Sequence, residues 1–166
     1  QMHTGYAGDY VDNQIIIEVQ KKYNGAQITK DMARRWKEQY SFVSTSTPDE
    51  PIMVDFSIEG KAMSLDITDC IQAACESIVD PIVENVKALI AGSNPEFHDE
   101  FRRNMVLAGG GSGIRGLGAL IERRLSDMGD VNVHVVDDPV RLGAMGLRLA
   151  MEVPEDMWKN LTLASR

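Results

Sequence analysis

The stretch NMVLAGGGSGIRGLGALIERRL, Asn104 to Leu125, decides how the chain is read. Met105–Ala108 is a short apolar run bounded by glycine, as a buried strand would be, and from Leu117 apolar residues recur at helical spacing. Between the two, Gly109, Gly110 and Gly111 stand in a row, and Gly111-Ser112-Gly113-Ile114-Arg115-Gly116 spells G-x-G-x-x-G. Strand, glycine loop, helix is an order in which bare backbone can approach a flat or charged ligand.

Three readings of the loop compete. In a dinucleotide cradle, Asp137 would stand at the end of the next strand, about 20 residues past the last glycine, where a ribose-binding acid belongs. That fold needs several further alternating strands and helices, and only one more strand, 131–136, is predicted downstream. In a purely structural reading, a left-handed turn lets the helix pack close to the sheet, which accounts for one or two glycines but not for the whole run. In the third, the bare peptide lies against a purine, and ribose and base contacts come from elsewhere. Lys37 and Glu38 could supply them: a carboxylate accepts from two ribose hydroxyls, and a lysine stem can cover a base.

Working outward, Val11, Ile15, Val19 and Tyr23 fall at i, i+4 spacing and predict a helix over Asp9–Tyr23, capped by Asp9 and ended by Asn24-Gly25. A second helix over Thr29–Val43 presents Met32, Trp36 and Tyr40 to the core. Its other face is expected to be solvated, with an Arg34–Glu38 pair. Ile52, Val54, Phe56 and Ile58, then Met63, Leu65 and Ile67, alternate on either side of Glu59-Gly60 and predict a β-hairpin. Thr68–Ala91 is helical, with Pro81 expected to kink it or begin a second helix. A short helical turn over Glu96–Arg103 follows, then the strand Met105–Ala108, the helix Leu117–Met128, a parallel strand over Val131–Val136 and a helix over Arg141–Val153. Pro154 opens a last helix that docks Trp158 and Leu161.

The bulk properties narrow the function. The 166 residues are 43% hydrophobic, so a sizeable core can form. Twenty-five acidic against 17 basic residues give a net charge of −8, a poor match for a nucleic-acid partner. No apolar run is long enough to span a membrane, so no membrane insertion is expected. Cys70 and Cys75 read as buried thiols, which fits a reducing, cytoplasmic setting. His3, His98 and His134 show no catalytic or metal-ligand spacing. No secretory signal is expected, and Gln1-Met2-His3 reads as the middle of a longer protein.

Three blocks together resemble the actin-like ATPases. Val106–Ser112 with Ile114-Arg115-Gly116-Leu117 is similar to their adenosine motif. Arg34–Gln39 is similar to the second-lobe helix whose lysine and glutamate clasp adenosine. Gly5-Tyr6-Ala7-Gly8-Asp9-Tyr10-Val11-Asp12 is similar to the glycine–aspartate segment after the second phosphate loop. Lys37–Val43, Asp138-Pro139 and Gly146–Ala150 look most like the magnetosome actins of the MamK type. The resemblance implies an α/β fold: an actin-like (ribonuclease H-like) second domain, with a mostly helical small subdomain and hairpin over 1–66 and a large subdomain carrying the adenosine loop over 67–166. It implies an ATP- or ADP-binding site in which Lys37 and Glu38 hold ribose and base, Gly109, Gly110, Gly111 and Ser112 line the adenine and α-phosphate side, and Ile114 packs on the base.

The family carries two aspartate-led phosphate hairpins, and this sequence shows neither. Magnesium and hydrolysis are therefore expected only together with the family's first domain, and the chain resembles the C-terminal half of such a protein, lacking the N-terminal strands of the large subdomain's sheet. The expected partners are further copies or full-length actin-like subunits in a filament, and magnetosome adaptors; the expected place is the cytoplasmic, magnetosome-associated cytoskeleton. A non-catalytic module that caps or modulates filaments is the alternative. An open sheet edge beside strand Met105–Ala108, with apolar surface next to it, is a further expectation.

Overall fold

The structure, a computed structural model, describes residues 8–136. The predicted helices over 141–153 and after Pro154, Asp137 and Asp138-Pro139, and the first residues of the glycine–aspartate block lie outside the described residues. No described helix is long and apolar enough to cross a membrane.

Helix α1 (Gly8–Lys22) buries Val11, Ile15 and Val19, the predicted face, and stops where Gly25 turns left-handed at φ 79°. Asp9 sits inside its first turn rather than capping it. Strand β1 (Ala26–Gln27) follows, too short to register as periodicity. Helix α2 (Lys30–Tyr40) is capped by Thr29, whose hydroxyl accepts from the Met32 amide at 3.2 Å. Trp36 and Ala33 are buried, with Met32 and Tyr40 half-buried beside them.

The helix ends three residues before the expected Val43, because Phe42 and Val43, both fully buried, are drawn into backbone pairing with Arg115. The expected Arg34–Glu38 pair does not form. Arg34 reaches Asp9 at 3.4 Å and Asp12 at 3.8 Å instead. Two carboxylates of α1, Asp9 and Asp12, lie within reach across the helix pair and together draw the guanidinium away from a single glutamate one turn along its own helix.

The hairpin is β2 (Met53–Ile58) and β3 (Lys61–Asp66), paired in register from Met53↔Asp66 to Ile58↔Lys61. Its two-residue turn has Glu59 at φ 48° and Gly60 at φ 82°, the double positive φ that matches strand twist. β1 adds antiparallel to β2, so the order is β1-β2-β3. Phe56 packs between Tyr23 and Trp36, with ring centroids at 5.8 and 5.9 Å. β3 is the less covered strand, and its Met63 is exposed.

The long predicted helix is two: α3 (Thr68–Glu76) and α4 (Val79–Ala91). Pro81 falls in the first turn of α4, where its missing amide hydrogen costs nothing. Cys70 and Cys75 are free and buried in α3, and burial pushes both thiols up to about 11. A short 3₁₀ turn, Pro95–Phe97, leads into α5 (His98–Arg103). Strand β4 (Met105–Leu107) precedes the glycine loop, helix α6 (Leu117–Arg124) follows it, and β5 (Val133–Val135) lies parallel to β4 with Val106 opposite His134.

One apolar cluster runs through all of these layers, from Val11 and Ile15 through Phe42, Val54 and Ile71 to Leu117, Leu120 and Leu125. Among the described residues β4 pairs with β5 alone. Val106 is 66% exposed, and an apolar groove of about 440 Å³ opens beside it, lined by residues that include Val86 and Leu89 of α4 and Phe101 of α5. The expected apolar surface is present.

Candidate functional site

Between α1, α2 and the glycine loop lies a cleft of about 710 Å³. Lys37, Glu38, Gly109, Gly110, Gly111, Ser112 and Ile114 all line it. The fold thus brings the end of α2 to face the loop, which spacing in the sequence could not show.

Local chemistry explains how each wall is held. Gly109 sits at φ 92°, and residues Gly110–Gly113 make one 3₁₀ turn. Ser112, buried, closes that turn on itself: its hydroxyl donates to the Gly109 carbonyl at 2.8 Å and its amide to the same oxygen at 3.0 Å. Ile114 is also buried and anchors the loop in the core. The glycines then divide into two groups. A Cβ on Gly116 would come within 2.4 Å of Thr45 Oγ1, and one on Gly118 within 2.7 Å of Val135 Cγ2. Close packing within the protein demands both. At Gly109, Gly110, Gly111 and Gly113 an added Cβ would meet nothing within 4 Å. The turn at Gly109 needs glycine for its φ, but no contact among the described residues asks for the other three. Their bare backbone forms the open floor of the cleft.

The α2 wall is bolted to that floor. The Val43 amide donates to the Arg115 carbonyl at 3.0 Å, and the Arg115 amide to the Ser41 carbonyl at 3.3 Å. The Arg115 guanidinium reaches the carbonyls of Ser41 at 3.4 Å and Tyr40 at 3.5 Å, on the last turn of α2. Thr45 Oγ1 donates to the Gly116 carbonyl at 2.7 Å. Behind this seam, Glu76 accepts from the Ser44 amide at 2.8 Å. Burial alone would raise its carboxyl. The hydrogen bonds from Ser44 and Gln72 and the nearby Arg124 charge outweigh that and hold it below the ordinary carboxylate value.

Lys37 and Glu38 are neighbours with different environments. Lys37 is 18% exposed; its Nζ lies 2.7 Å from Asp12 Oδ1 and donates to the Gly8 carbonyl at 2.9 Å. Glu38 is exposed and makes no hydrogen bond or ion pair among the described residues. The cleft therefore offers a floor of bare peptide, apolar sides from Val11, Ile78, Ile82 and Leu107, and one carboxylate free to accept. That is chemistry for holding a flat, hydroxyl-bearing molecule. The described residues contain no cluster of His, Cys, Asp and Glu able to hold a metal. Sequence reasoning missed Gly8, Ser41, Ile78 and Ile82 as lining residues and Asp12 and Arg115 as supports. Arg115 stands inside the glycine motif, Gly8 and Asp12 inside the glycine–aspartate block and Ser41 inside the Lys37–Val43 block, but none of those likenesses gave them a place in the cleft.

The chain matches the MreB/Mbl protein family over residues 3–159. It is 38% identical over 156 residues to the actin-like protein MamK of Paramagnetospirillum magneticum, a match that covers 93% of this chain and 44% of that protein. Among solved structures, the MamK double helical filament superposes with a TM-score of 0.84 at 37% identity, covering 93% of this chain and 47% of that one. A non-polymerising MamK mutant bound to AMPPNP superposes with a TM-score of 0.79 at 38% identity, covering 87% and 44%. The chain spans less than half the length of these relatives. By the family match, by its likeness to MamK and by an α/β fold shared with actin-like filament proteins, it belongs to the MreB/Mbl family of bacterial actin-like proteins.

Proposed function

We propose that the cleft is an adenosine site for ATP or ADP, and that the chain acts as the nucleotide-binding half of an actin-like filament-forming ATPase that organises magnetosome chains. The observation that carries the reading is the division of the glycines: among the described residues, no neighbour crowds Gly110, Gly111 or Gly113, and they lie across from a Glu38 carboxylate that has no partner there. The adenine ring lies on the peptide of Gly109–Gly111, Ser112 fixes the loop on the α-phosphate side, and Ile114 backs the base. The stem of Lys37 covers the other ring face, and Glu38 accepts from the ribose hydroxyls. The cleft volume falls in the range that small-molecule sites occupy. That a MamK structure was solved with AMPPNP supports a nucleotide of this class.

The division into a small subdomain over 1–66 and a large one over 67–166 belongs to the same reading, with the cleft between them. So do self-association into filaments, binding to full-length subunits and magnetosome adaptors, and a place in the cytoplasmic magnetosome cytoskeleton. Neither aspartate-led phosphate hairpin is in the sequence, so magnesium binding and hydrolysis are assigned to the rest of the assembled ATPase.

Calorimetric titration of the 166-residue chain with adenosine, ADP, ATP and NAD tests the site. Adenosine and its phosphates bind, and Glu38→Ala weakens them by about tenfold or more, the cost of a charge-assisted hydrogen-bond acceptor. Binding of NAD without ATP, or affinity indifferent to Glu38→Ala, would overturn the assignment.

A further inference from the structure

We propose that Asp12 is a positioning residue of this cleft: its buried carboxylate holds the Lys37 ammonium away from the ligand, so that the α2 wall presents a methylene stem and the Glu38 carboxylate, and selects for the nucleoside rather than for phosphate. The inference rests on the nucleoside reading above and adds to it a determinant of which end of the ligand meets this wall.

Asp12 is 0% exposed, on the first turns of α1, the helix that also buries Val11, Ile15 and Val19. A carboxylate so far from water must be neutralised or paired. Its close counter-charge is Lys37 Nζ at 2.7 Å; Arg34 Nε stands off at 3.8 Å, on a half-exposed side chain shared with Asp9. Among the described residues neither Asp12 oxygen has a donor in hydrogen-bonding alignment, and the 2.7 Å ion pair with Lys37 is its closest compensation. The ammonium has three hydrogens to give. One goes to the Gly8 carbonyl at 2.9 Å, and the ammonium's charge stands 2.7 Å from the Asp12 carboxylate. The seat is tight: a Cβ on Gly8 would lie 3.2 Å from Nζ.

Two consequences follow for a ligand. The positive charge of Lys37 is cancelled by Asp12 and turned into the protein. Glu38, one residue further along α2, is then the unbalanced charge on this wall. A wall of net negative charge repels phosphate and accepts from hydroxyls. The phosphates are thereby directed away from α2, and a lysine that would otherwise serve as a phosphate point charge is confined to covering a ring.

The test is calorimetric titration with adenosine and with ATP, without metal, on three forms of the 166-residue chain: wild type, Asp12→Asn, and Asp12→Asn with Lys37→Met. The readout is the ratio of ATP affinity to adenosine affinity. In Asp12→Asn the freed ammonium raises that ratio by about tenfold at low salt, and added salt abolishes the gain. In the double variant the ratio returns to within about twofold of wild type, because no ammonium remains to be freed. A merely structural Asp12 would weaken both ligands alike and leave the ratio unmoved in Asp12→Asn, which overturns the proposal. A double variant whose ratio drops about tenfold below wild type also overturns it, since Lys37 would then already be binding phosphate; this arm decides alone if Asp12→Asn does not fold. Failure of the wild-type chain to bind either ligand removes the nucleoside reading itself, and this inference with it.

Discussion

Gly110 and Gly116 sit six residues apart in one loop, and alanine at the two positions should have opposite effects. Gly116 is left-handed, at φ 80°, and a Cβ there would meet Thr45 Oγ1 at 2.4 Å, Ser46 Cβ at 2.9 Å and the Ser46 amide nitrogen at 3.2 Å. Alanine in that conformation costs about 1–2 kcal/mol. Displacing Thr45 also breaks its 2.7 Å hydrogen bond to the Gly116 carbonyl, worth about 1 kcal/mol. Gly116→Ala should therefore destabilise by about 2–3 kcal/mol, lowering Tm by about 2–4 °C for each of them. At Gly110 φ is not positive and a Cβ would meet nothing within 4 Å. Alanine there removes freedom from the unfolded chain at no cost to the fold, a gain of about 0.4–1 kcal/mol. Yet its methyl would stand where the proposed site puts the adenine ring, so affinity for adenosine should fall by about tenfold or more. Denaturant unfolding and calorimetric titration of both variants measure the four quantities. If Gly110→Ala destabilised like Gly116→Ala, or bound adenosine as well as the wild type, the division of the glycines into packing and ligand-facing sets would be wrong.

Three further outcomes are expected. The exposed Val106 and the apolar groove beside β4 should make the isolated chain self-associate or melt at low temperature, and Val106→Lys should weaken the association; sedimentation velocity across a concentration series checks this, and a monomeric wild type with a sharp, high melt would contradict it. ATP turnover by the chain alone should be absent, since phosphate contacts carry the chemistry of phosphoryl transfer; steady phosphate release that survives Glu38→Ala would refute this. The Asp66 carboxyl accepts from the Thr68 hydroxyl at 2.5 Å and amide at 2.9 Å, which holds it below its ordinary value near 3.8. A lowered folded value means stability that is present at neutral pH and lost as acid protonates the group below about pH 4, so Asp66→Asn should flatten the acid limb of the unfolding free energy; an unchanged limb would show that the contact does not persist in solution.

The long, strongly patterned elements are legible in the sequence. The α1 stripe, the hairpin with its Glu59-Gly60 turn, the break associated with Pro81 and the parallel strands flanking the glycine loop follow from periodicity and turn chemistry, which act over a few residues. What could not be read depends on distant partners. β1 is two residues long and exists because β2 offers it an edge. The early end of α2 is decided by Arg115, 72 residues beyond Phe42-Val43 in the chain. The Arg34–Glu38 pair fails because α1 packs beside α2 and brings Asp9 and Asp12 within reach of Arg34, and that packing is a tertiary fact. The site residues were suggested by the glycine run and by family resemblance. Their meeting in one cleft, and the distinction between glycines that pack and glycines that do not, appear only when neighbours in space are known.

The seam joining Ser41, Val43 and Thr45 to Arg115 and Gly116 has a mechanical consequence. It rivets the floor and one wall of the cleft along their shared border, so that border cannot act as a hinge without breaking at least three hydrogen bonds at once. A bound molecule would feel jaws that do not move, and any shape change it drives would have to turn α2, the loop and everything attached to them as one stiff lever about some pivot outside the rivets.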